Sequence, residues 1–354
     1  MSKISVAVLG ATGMIGQRFI QMLEDHPWFE IEGLYASERS EGKRLGDVLK
    51  VRDHVYKDET MDRRIEVMDI GKIGKNCRIA FSGIPSDLAG PTETELAKAG
   101  VAVFTNAGSH RMDAHVPIII PEVNPGQYDA VKDQPTYGEA GGYIVTNANC
   151  SSTGIAAPLH AINQAFGLKQ VFVSTYQALS GAGYPGVPSL DAVGNVVPFI
   201  SHEEEKMETE LAKMLGTYSD GEFHYAGFKV MANCARVPVI DGHLESLVLD
   251  TEGQPTLEEL EKALVDFRGE PQTLKLPSAP EQPIIVRHED NRPQPVFDAM
   301  AGRPERARGM AVTIGRLRQS NGYYKAFSMS HNTLRGGAGG SVLNAELAVA
   351  KKLL

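Results

Sequence analysis

Short apolar runs recur through the first 150 residues and alternate with segments of helical periodicity. The runs are rich in β-branched residues, as is typical of strands buried in a parallel sheet. They cover Ile4–Leu9, Ile31–Tyr35, Ile65–Met68, Arg78–Phe81, Val101–Thr105 and Tyr143–Thr146. Between them, Ile15, Phe19, Met22 and Leu23 share one face of a helix that should end near His26-Pro27, and Pro91–Ala99 is a second predicted helix. This alternation predicts a doubly wound α/β sheet.

The pattern changes after Cys150. Apolar residues from Ile155 to Phe166 recur at helical spacing, so we expect a helix directly after Cys150, although Pro158 argues for a kink or a later start. Two capping boxes, Ser201-x-x-Glu204 and Thr256-x-x-Glu259, predict further helices. The strand-like stretches are Val171–Gln177, Leu244–Leu249 and Met310–Arg316. The second half is therefore expected to be an α+β domain with a mixed sheet.

Length and charge narrow the class of protein. The chain has 354 residues and a formal net charge of −9, which suggests two domains and excludes a mainly electrostatic nucleic-acid binder. No apolar run approaches the roughly 20 residues that cross a bilayer, and the first residues lack the pattern of a signal peptide. We therefore expect a cytoplasmic protein that does not span a membrane, with domains at 1–149 and 150–331 and a C-terminal helix within 332–354 that rejoins the first domain.

A glycine turn follows the first predicted strand. Gly10, Gly13 and Gly16 are spaced G-x-x-G-x-x-G at the start of the first helix, where backbone N–H groups and the helix dipole favour a pyrophosphate. An ordinary strand-to-helix turn is the alternative interpretation. The second strand is followed by Ser37, Glu38, Arg39 and Ser40. Two hydroxyl groups and a guanidinium suit a 2′-phosphate, so the sequence favours NADP over NAD, and Glu38 is the residue that argues against it.

Three cysteines at wide spacing fit neither a disulfide framework nor a paired-cysteine metal site. Cys77 and Cys234 are interpreted as small buried residues. Cys150 stands among small polar residues at a predicted helix N-terminus, where the helix dipole should lower the thiol pKa and make it a nucleophile. An acid/base partner is then needed, and His243 at the start of a strand is one of ten histidines that could serve.

Other polar residues are candidates for holding an anionic substrate. Arg236 in an apolar segment suits a carboxylate, and Arg111 follows the fifth strand at the sheet edge where ligands bind in such folds. Gln177 precedes a turn that contains Ser180 and Gly181. Glu203 and Lys206 lie three residues apart on one helix, for which a surface ion pair is the simpler interpretation. Zinc-ligand and P-loop motifs are absent from the sequence, so no metal is expected.

Together these motifs resemble aspartate-semialdehyde dehydrogenase, and within it the archaeal and fungal branch. The resemblance spans nearly the whole chain, and several motifs in family order are more specific than any one alone. The matching segments are Gly10–Gly16, Ser37–Ser40, Asn106–Arg111 with Val116–Asn124, Asn149–Ser152, Gln177–Gly183, Arg236–His243 and His331–Gly337.

The resemblance implies a role for each matching residue. Cys150 would be the acyl-forming nucleophile, His243 the general acid/base, and Gln177 the residue that orients the substrate. Arg236 would hold the substrate α-carboxylate. The resemblance also implies that Arg111 and Lys206 bind phosphate, that Glu203 contacts the substrate amino group or supports Lys206, and that the NADP contacts are Gly10, Thr12, Gly13, Met14, Ile15, Ser37, Arg39, Ser40, Ser180, Gly181 and Asn332.

The activity implied is the NADPH-dependent reductive dephosphorylation of L-4-aspartyl phosphate to L-aspartate 4-semialdehyde, for lysine, methionine and threonine synthesis. A Rossmann-type cofactor domain and a catalytic domain that pairs subunits, as a homodimer or homotetramer, are implied with it. A malonyl-CoA reductase of the same superfamily is the nearest alternative. A non-catalytic NADP-binding redox sensor is an alternative from another class. N-acetyl-glutamyl-phosphate reductase and glyceraldehyde-phosphate dehydrogenase share the cysteine chemistry but differ in the motifs around it.

Overall fold

A seven-stranded parallel sheet forms the centre of the first half of the chain. The computed structural model describes residues 2–354. The strand order is β3-β2-β1-β4-β5-β7-β6. Strands β4, β5 and β7 are buried along their whole length, which agrees with their unbroken apolar sequences. The strands are β1 (Ile4–Leu9), β2 (Phe29–Ala36), β3 (Ile65–Val67), β4 (Ile79–Ser82), β5 (Ala102–Thr105), β6 (Ile118–Ile119) and β7 (Tyr143–Asn147).

Twelve α-helices connect or cover the strands within residues 2–354. They are α1 (Met14–Leu23), α2 (Asp58–Met61), α3 (Ile70–Asn76), α4 (Ser86–Lys98), α5 (Pro135–Ala140), α6 (Cys150–Phe166), α7 (Ser189–Ala192), α8 (Glu203–Met214), α9 (Leu257–Asp266), α10 (Glu270–Leu274), α11 (Pro295–Asp298) and α12 (Gly339–Ala350). None of these helices has both the length and the apolar composition to cross a membrane.

Helices cover both faces of the parallel sheet. On one face, Phe19 of α1 and Leu343 and Leu347 of α12 share a buried apolar cluster with Val6 and Val8 of β1. The opposite face packs on a second cluster that includes residues of α3 and α4. The doubly wound arrangement predicted from the sequence is confirmed, and the C-terminal helix lies in the core of this sheet.

A six-stranded mixed sheet forms the second half, in the order β11-β8-β12-β15-β14-β13. Helices α6, α8 and α9 cover one face and bury its apolar side chains. Its strands are β8 (Leu168–Gln177), β11 (Lys229–Arg236), β12 (His243–Thr251), β13 (Ile284–Arg287), β14 (Val312–Ser320) and β15 (Tyr323–Ser330), and a separate hairpin holds β9 (Thr217–Ser219) and β10 (Glu222–His224). The predicted α+β domain with a mixed sheet is therefore confirmed.

Helix α6 runs without interruption through Pro158. Proline has no N–H to donate to the carbonyl of Gly154, one turn earlier. The hydroxyl of Ser328 on β15 donates to that carbonyl at 2.7 Å instead. A hydrogen bond from the sheet thus replaces the one that the helix lacks, and neither the predicted kink nor a late start is needed.

Two sequence predictions need correction. Helix α8 begins at Glu203 rather than after a capping box at Ser201, because His202 adopts a left-handed conformation (φ 58°) and no side chain caps the helix. Helix α4 begins at Ser86, five residues before the predicted Pro91, since Pro85 precedes the helix and Pro91 fits within its second turn. The capping box at Thr256 and Glu259 is confirmed.

Candidate active site

Cys150 is the first residue of α6, where the second half of the chain begins. Strand β7 ends at Asn147, and the side chain of Asn149 accepts hydrogen bonds from the N–H groups of Ser151 (3.0 Å) and Ser152 (3.1 Å). This cap fixes the first turn of the helix. The Cys150 side chain lies on the wall of a cavity of about 810 Å³ between the two halves of the chain.

The imidazole of His243 faces the thiol. Its Nε2 lies 3.2 Å from Sγ of Cys150, and its Nδ1 accepts a hydrogen bond from the backbone N–H of Ala178 at 3.0 Å. Because a backbone N–H can only donate, the proton of the neutral ring is on Nε2. His243 therefore presents an N–H group to the sulfur atom.

Burial dominates the ionisation of this pair. It raises the pKa of the Cys150 thiol to about 12, and the nearby Glu203 carboxylate adds to the rise. It lowers the pKa of His243 to about 3, with the charge of Arg236 acting in the same direction. The thiol pKa is therefore raised, not lowered as expected from the helix N-terminus, and burial is the largest cause. At neutral pH the pair is a thiol and a neutral imidazole.

A buried carboxylate, Glu203, connects several of the predicted site residues. Its Oε1 accepts hydrogen bonds from the side-chain amides of Asn149 (2.8 Å) and Gln177 (3.0 Å), and its Oε2 lies 3.8 Å from Nζ of Lys206. The sequence left open which of three consecutive glutamates faces the substrate. Glu204 accepts from the N–H of Cys234, and Glu205 is exposed beside His202, so Glu203 is the one that lines the cavity.

Two arginines bring positive charge to the cavity wall. Arg236 ends β11, is 7% exposed, and donates from Nη1 to the carbonyl of Ala178 at 2.8 Å. Arg111 donates to the carbonyls of Asn147 and Asn106, both at 3.0 Å, and pairs with Glu210 at 2.9 Å. A guanidinium has five N–H donors, so two remain on Arg111 for a ligand.

The glycine turn has the geometry that a dinucleotide phosphate requires. Gly10 has φ +78°, and a Cβ there would lie 2.6 Å from the carbonyl oxygen of Gly83. A Cβ on Gly16 would lie 2.1 Å from the carbonyl oxygen of Gly10, so only glycine allows the helix to approach this closely. Gly13 is the N-cap of α1, and no side chain caps the helix there. The first N–H groups of α1 are therefore available to an anion.

The other predicted cofactor residues occupy two places. Those that line the cavity are Met14, Ile15, Ser180, Gly181 and Asn332, and Thr12 belongs to the glycine turn itself. Ser37, Arg39 and Ser40 lie together on a 3₁₀ turn directly after β2, where Ser37 and Arg39 are exposed. Strand β2 pairs with β1 in parallel, so this turn and the glycine turn leave the same edge of the sheet. This placement fits a dinucleotide that lies across the carboxyl ends of both strands.

Two buried carboxyl groups near the site were not predicted from the sequence. Glu210 accepts from the N–H of Asn149 at 2.9 Å with Oε2 while Oε1 pairs with Arg111, so it joins the start of α6 to that arginine. Glu210 shares the buried face of α8 with Glu203 and Met207, and this helical spacing was a usable signal. Glu245 on β12 is fully buried, and its two carboxyl oxygens have no hydrogen-bond partner among the described residues.

Three potential metal ligands lie close together behind His243. Atoms of Asp53, Asp241 and His331 are within 4.8 Å of one another. The guanidinium of Arg18 lies 2.8 Å from Asp53 and 3.7 Å from Asp241. Arg18 therefore already supplies this group with the positive charge that a metal ion would bring.

Comparisons with known proteins identify the family. Residues 5–131 match the family model described as semialdehyde dehydrogenase, NAD binding domain, and residues 159–335 match the model described as semialdehyde dehydrogenase, dimerisation domain. Aspartate-semialdehyde dehydrogenase of Methanothermobacter thermautotrophicus is 45% identical, over 97% of this chain and 98% of the relative. This chain belongs to the aspartate-semialdehyde dehydrogenase family.

Two further comparisons place this member of the aspartate-semialdehyde dehydrogenase family more closely. A crystal structure of aspartate semialdehyde dehydrogenase with NADP from Candida albicans covers 100% of both chains, with a TM-score of 0.87 and 36% identity. Malonyl CoA reductase (NADP) of Metallosphaera sedula is 39% identical over 98% of this chain and 97% of the relative. The resemblance to the archaeal and fungal branch is confirmed, and the alternative named from the sequence is a true relative.

Proposed function

We propose that this chain reduces L-4-aspartyl phosphate to L-aspartate 4-semialdehyde with NADPH. The observation that carries the proposal is the 3.2 Å contact between Cys150 and His243 in a cavity that also holds Arg236 and Arg111. Thiol, imidazole and two cations are what transfer of an acyl group from phosphate to sulfur requires. Relatives of 45% identity named for this activity support the choice of substrate.

In the first step, Sγ of Cys150 attacks the acyl carbon of the substrate and the carbon–oxygen bond to phosphate breaks. The thiol proton leaves with the phosphate as hydrogen phosphate, and a thioester remains on Cys150. Arg111 and Lys206 hold the departing phosphate, and Arg236 holds the α-carboxylate. His243 and Cys150 are both neutral at rest, so negative charge appears on the sulfur only during the attack. The cations and the Nε2–H group stabilise that charge as it develops.

The residues of the glycine turn and of the 3₁₀ turn after β2 would hold NADPH, which supplies a hydride to the thioester when bound. As the carbon–sulfur bond breaks, the Nε2–H group of His243 hydrogen-bonds to the departing sulfur, and a proton from solvent replaces the one lost with phosphate, so the thiol and the aldehyde are restored together. Gln177 and Asn149 hold Glu203 in place, and Glu203 orients Lys206 or the substrate amino group. These roles make residues 1–149, with the helix of 332–354, the NADP-binding unit and residues 150–331 the catalytic unit.

Subunit pairing belongs to the same proposal. The outer face of the six-stranded sheet carries exposed apolar side chains, and Phe172, Tyr176 and Met231 are 37–38% exposed there. The family model that matches this half is described as a dimerisation domain. We expect a homodimer or homotetramer in the cytoplasm, and light scattering should give a mass of two or four chains.

The reverse reaction provides the direct test. L-aspartate 4-semialdehyde, NADP and phosphate should give NADPH, measured by absorbance, only when phosphate is present. Cys150→Ser should lose activity by about 10³-fold or more and still bind NADP. Cys77→Ser is the matched control, because that thiol is buried in the core of the first sheet, and it should retain turnover. Phosphate-independent turnover, or an active Cys150→Ser, would contradict the proposed chemistry.

A second substrate deserves the same assay because a malonyl-CoA reductase is 39% identical over nearly the whole chain. Turnover with malonyl-CoA and NADPH in the absence of activity on the semialdehyde would reassign the substrate but keep the nucleophile. A protein that binds NADP and is alkylated at Cys150, with no turnover on either substrate, would be the redox sensor considered from the sequence.

A further inference from the structure

Arg18 is a buried cation on the helix that follows the glycine turn. Its side chain is 1% exposed. Nε donates to Thr333 Oγ1 at 3.0 Å, and the two terminal nitrogens contact Gln21 at 2.8 Å and Asp53 at 2.8 and 3.1 Å. A buried guanidinium must keep such partners, because removing them leaves an uncompensated charge. Arg18 therefore follows any movement of α1.

The same guanidinium reaches the turn that presents the catalytic histidine. Nη2 of Arg18 lies 3.7 Å from Oδ2 of Asp241, two residues before His243. Oδ1 of Asp241 is buried without a hydrogen-bond partner among residues 2–354. Apart from Arg18, no other cation of the described chain pairs with this carboxylate. The contact between α1 and the turn that precedes His243, here called the histidine turn, thus depends on the ion pair of Arg18 and Asp241.

Gly242 lies between Asp241 and His243 and leaves the turn little conformational freedom. It has φ +95°, and a Cβ there would lie 3.2 Å from both Ala299 and Met329. Its N–H donates to Oδ1 of Asn332 at 2.8 Å. Nδ2 of Asn332 in turn donates to the hydroxyl of Ser180, on the glycine-rich turn beside the cavity. A shift of Asp241 would therefore pass directly to His243 rather than be absorbed by the backbone.

His331 completes the surroundings of the pair. It is 1% exposed, and burial lowers its pKa to about 4 with the charge of Arg18 adding to the effect. It is therefore neutral at neutral pH. The charges around Asp241 are then Arg18 and the half-exposed Asp53, and the arginine is shared between two carboxylates.

We propose that Arg18 and Asp241 are positioning residues that couple the dinucleotide-binding helix to the placement of His243. The inference rests on the proposed function of the same site. Binding of the cofactor at the N-terminus of α1 fixes that helix, Arg18 fixes Asp241, and the rigid turn at Gly242 sets the imidazole against Cys150. Misplacement of a catalytic group by about 1 Å can cost up to about 100-fold in rate, so a single ion pair behind the histidine is enough to affect turnover.

Asp241→Asn tests this coupling, with Asp53→Asn as the matched control. Both variants remove one carboxylate partner of Arg18, and Asp53 is the nearer of the two. The Asp53 side chain lies beside Asp241 but is far from it in sequence, so replacing it leaves the Arg18–Asp241 pair in place. We expect Asp241→Asn to lower kcat by about tenfold, with the KM for NADP changed less than about twofold. Asp53→Asn should keep kcat within about twofold. Arg18→Lys keeps a cation but loses the planar fork that reaches both carboxylates, so it should reproduce the loss in kcat.

Alkylation of Cys150 gives a readout that does not require turnover. Displacement of His243 removes its Nε2–H from the sulfur, so the thiolate is less stabilised and iodoacetamide should modify Asp241→Asn about threefold more slowly than wild type. Asp53→Asn should react at the wild-type rate, and urea midpoints will show that both variants are folded.

The outcomes separate the two proposals. Equal effects of the two Asn variants on kcat and on alkylation would overturn the coupling. A wild-type chain with no turnover but with the expected difference in alkylation would refute the proposed function and leave the coupling standing. If Asp241→Asn does not fold, the same two measurements on Arg18→Lys decide, and wild-type values there overturn the inference.

Discussion

Replacing Glu245 with glutamine should remove a pH-dependent destabilisation of the folded chain. Glu245 lies on β12, two residues beyond His243, on the sheet face covered by α6. It is fully buried and has no hydrogen-bond partner for either oxygen among the described residues, and burial raises the pKa of its carboxyl group well above the usual value. Folded protein therefore holds a proton on Glu245 that the unfolded chain releases at mildly acidic pH.

The size of the effect follows from proton linkage. Between the ordinary carboxyl pKa and the raised pKa of Glu245, the folded state binds about one proton more than the unfolded state. The free energy of unfolding then falls as pH rises, by about 1.4 kcal/mol per pH unit at 25 °C. Glutamine cannot ionise, so its unfavourable burial is the same at every pH. The nearby thiols of Cys150 and Cys234, each with a pKa raised to about 12, stay neutral through this range.

Urea unfolding of wild type and Glu245→Gln at pH 5, 6, 7 and 8 measures the slope directly. Subtracting the free energy of unfolding of Glu245→Gln from that of wild type at each pH cancels the titration of the groups that the two chains share. The difference should fall by about 1.4 kcal/mol per unit until it passes the raised pKa of Glu245. Glu222→Gln is the control, because that side chain is exposed on β10, and its difference should stay flat. A flat difference for Glu245→Gln would refute a protonated buried carboxyl group.

Two further substitutions test contacts that hold the site together. Glu210→Ala leaves Arg111 buried without its carboxylate at 2.9 Å, so it should lower the free energy of unfolding by about 3–5 kcal/mol, and Glu210→Gln should lose less; equal losses in urea titrations would argue against the charge. Ser328→Ala leaves the carbonyl of Gly154 without the donor that replaces the missing N–H of Pro158, so it should lose about 1–3 kcal/mol, and an unchanged urea midpoint would show that water serves instead.

The sequence predicts the first half of the fold more completely than the second. Parallel strands buried on both faces carry unbroken apolar runs, and β1, β4, β5 and β7 were found within one or two residues of their observed ends. Strand β11 was missed because polar side chains such as Asn233 interrupt its apolar residues. The sequence therefore shows only a weak alternation of polar and apolar residues with a period of two. Strand β15 was missed for a similar reason, since Ser328 and Ser330 are buried polar residues that contact α6 rather than apolar ones.

Individual residues of the site could be predicted from the sequence where they belong to short motifs. The ionisation of these residues could not be predicted in the same way. Cys150, His243 and Gln177 could be named because their neighbours match a family pattern. The direction of the thiol pKa could not, because it depends on how deeply the first turn of α6 is buried and on the distance to Glu203. Glu210 and Asp241 act through side chains far apart in sequence, and only the packing of α8 and α1 brings their partners to them.

The position of α12 has a consequence for synthesis of the chain. The parallel sheet is complete at Asn147, but the helix that covers part of one face is not translated until Gly339, roughly 190 residues later. At ribosomal rates of about 5–20 residues per second, the completed sheet waits roughly 10–40 s for Leu343 and Leu347. The half of the chain that is translated first is thus among the last parts to complete its packing. During more than half of its translation, the nascent chain exposes an open sheet face to which a chaperone can bind.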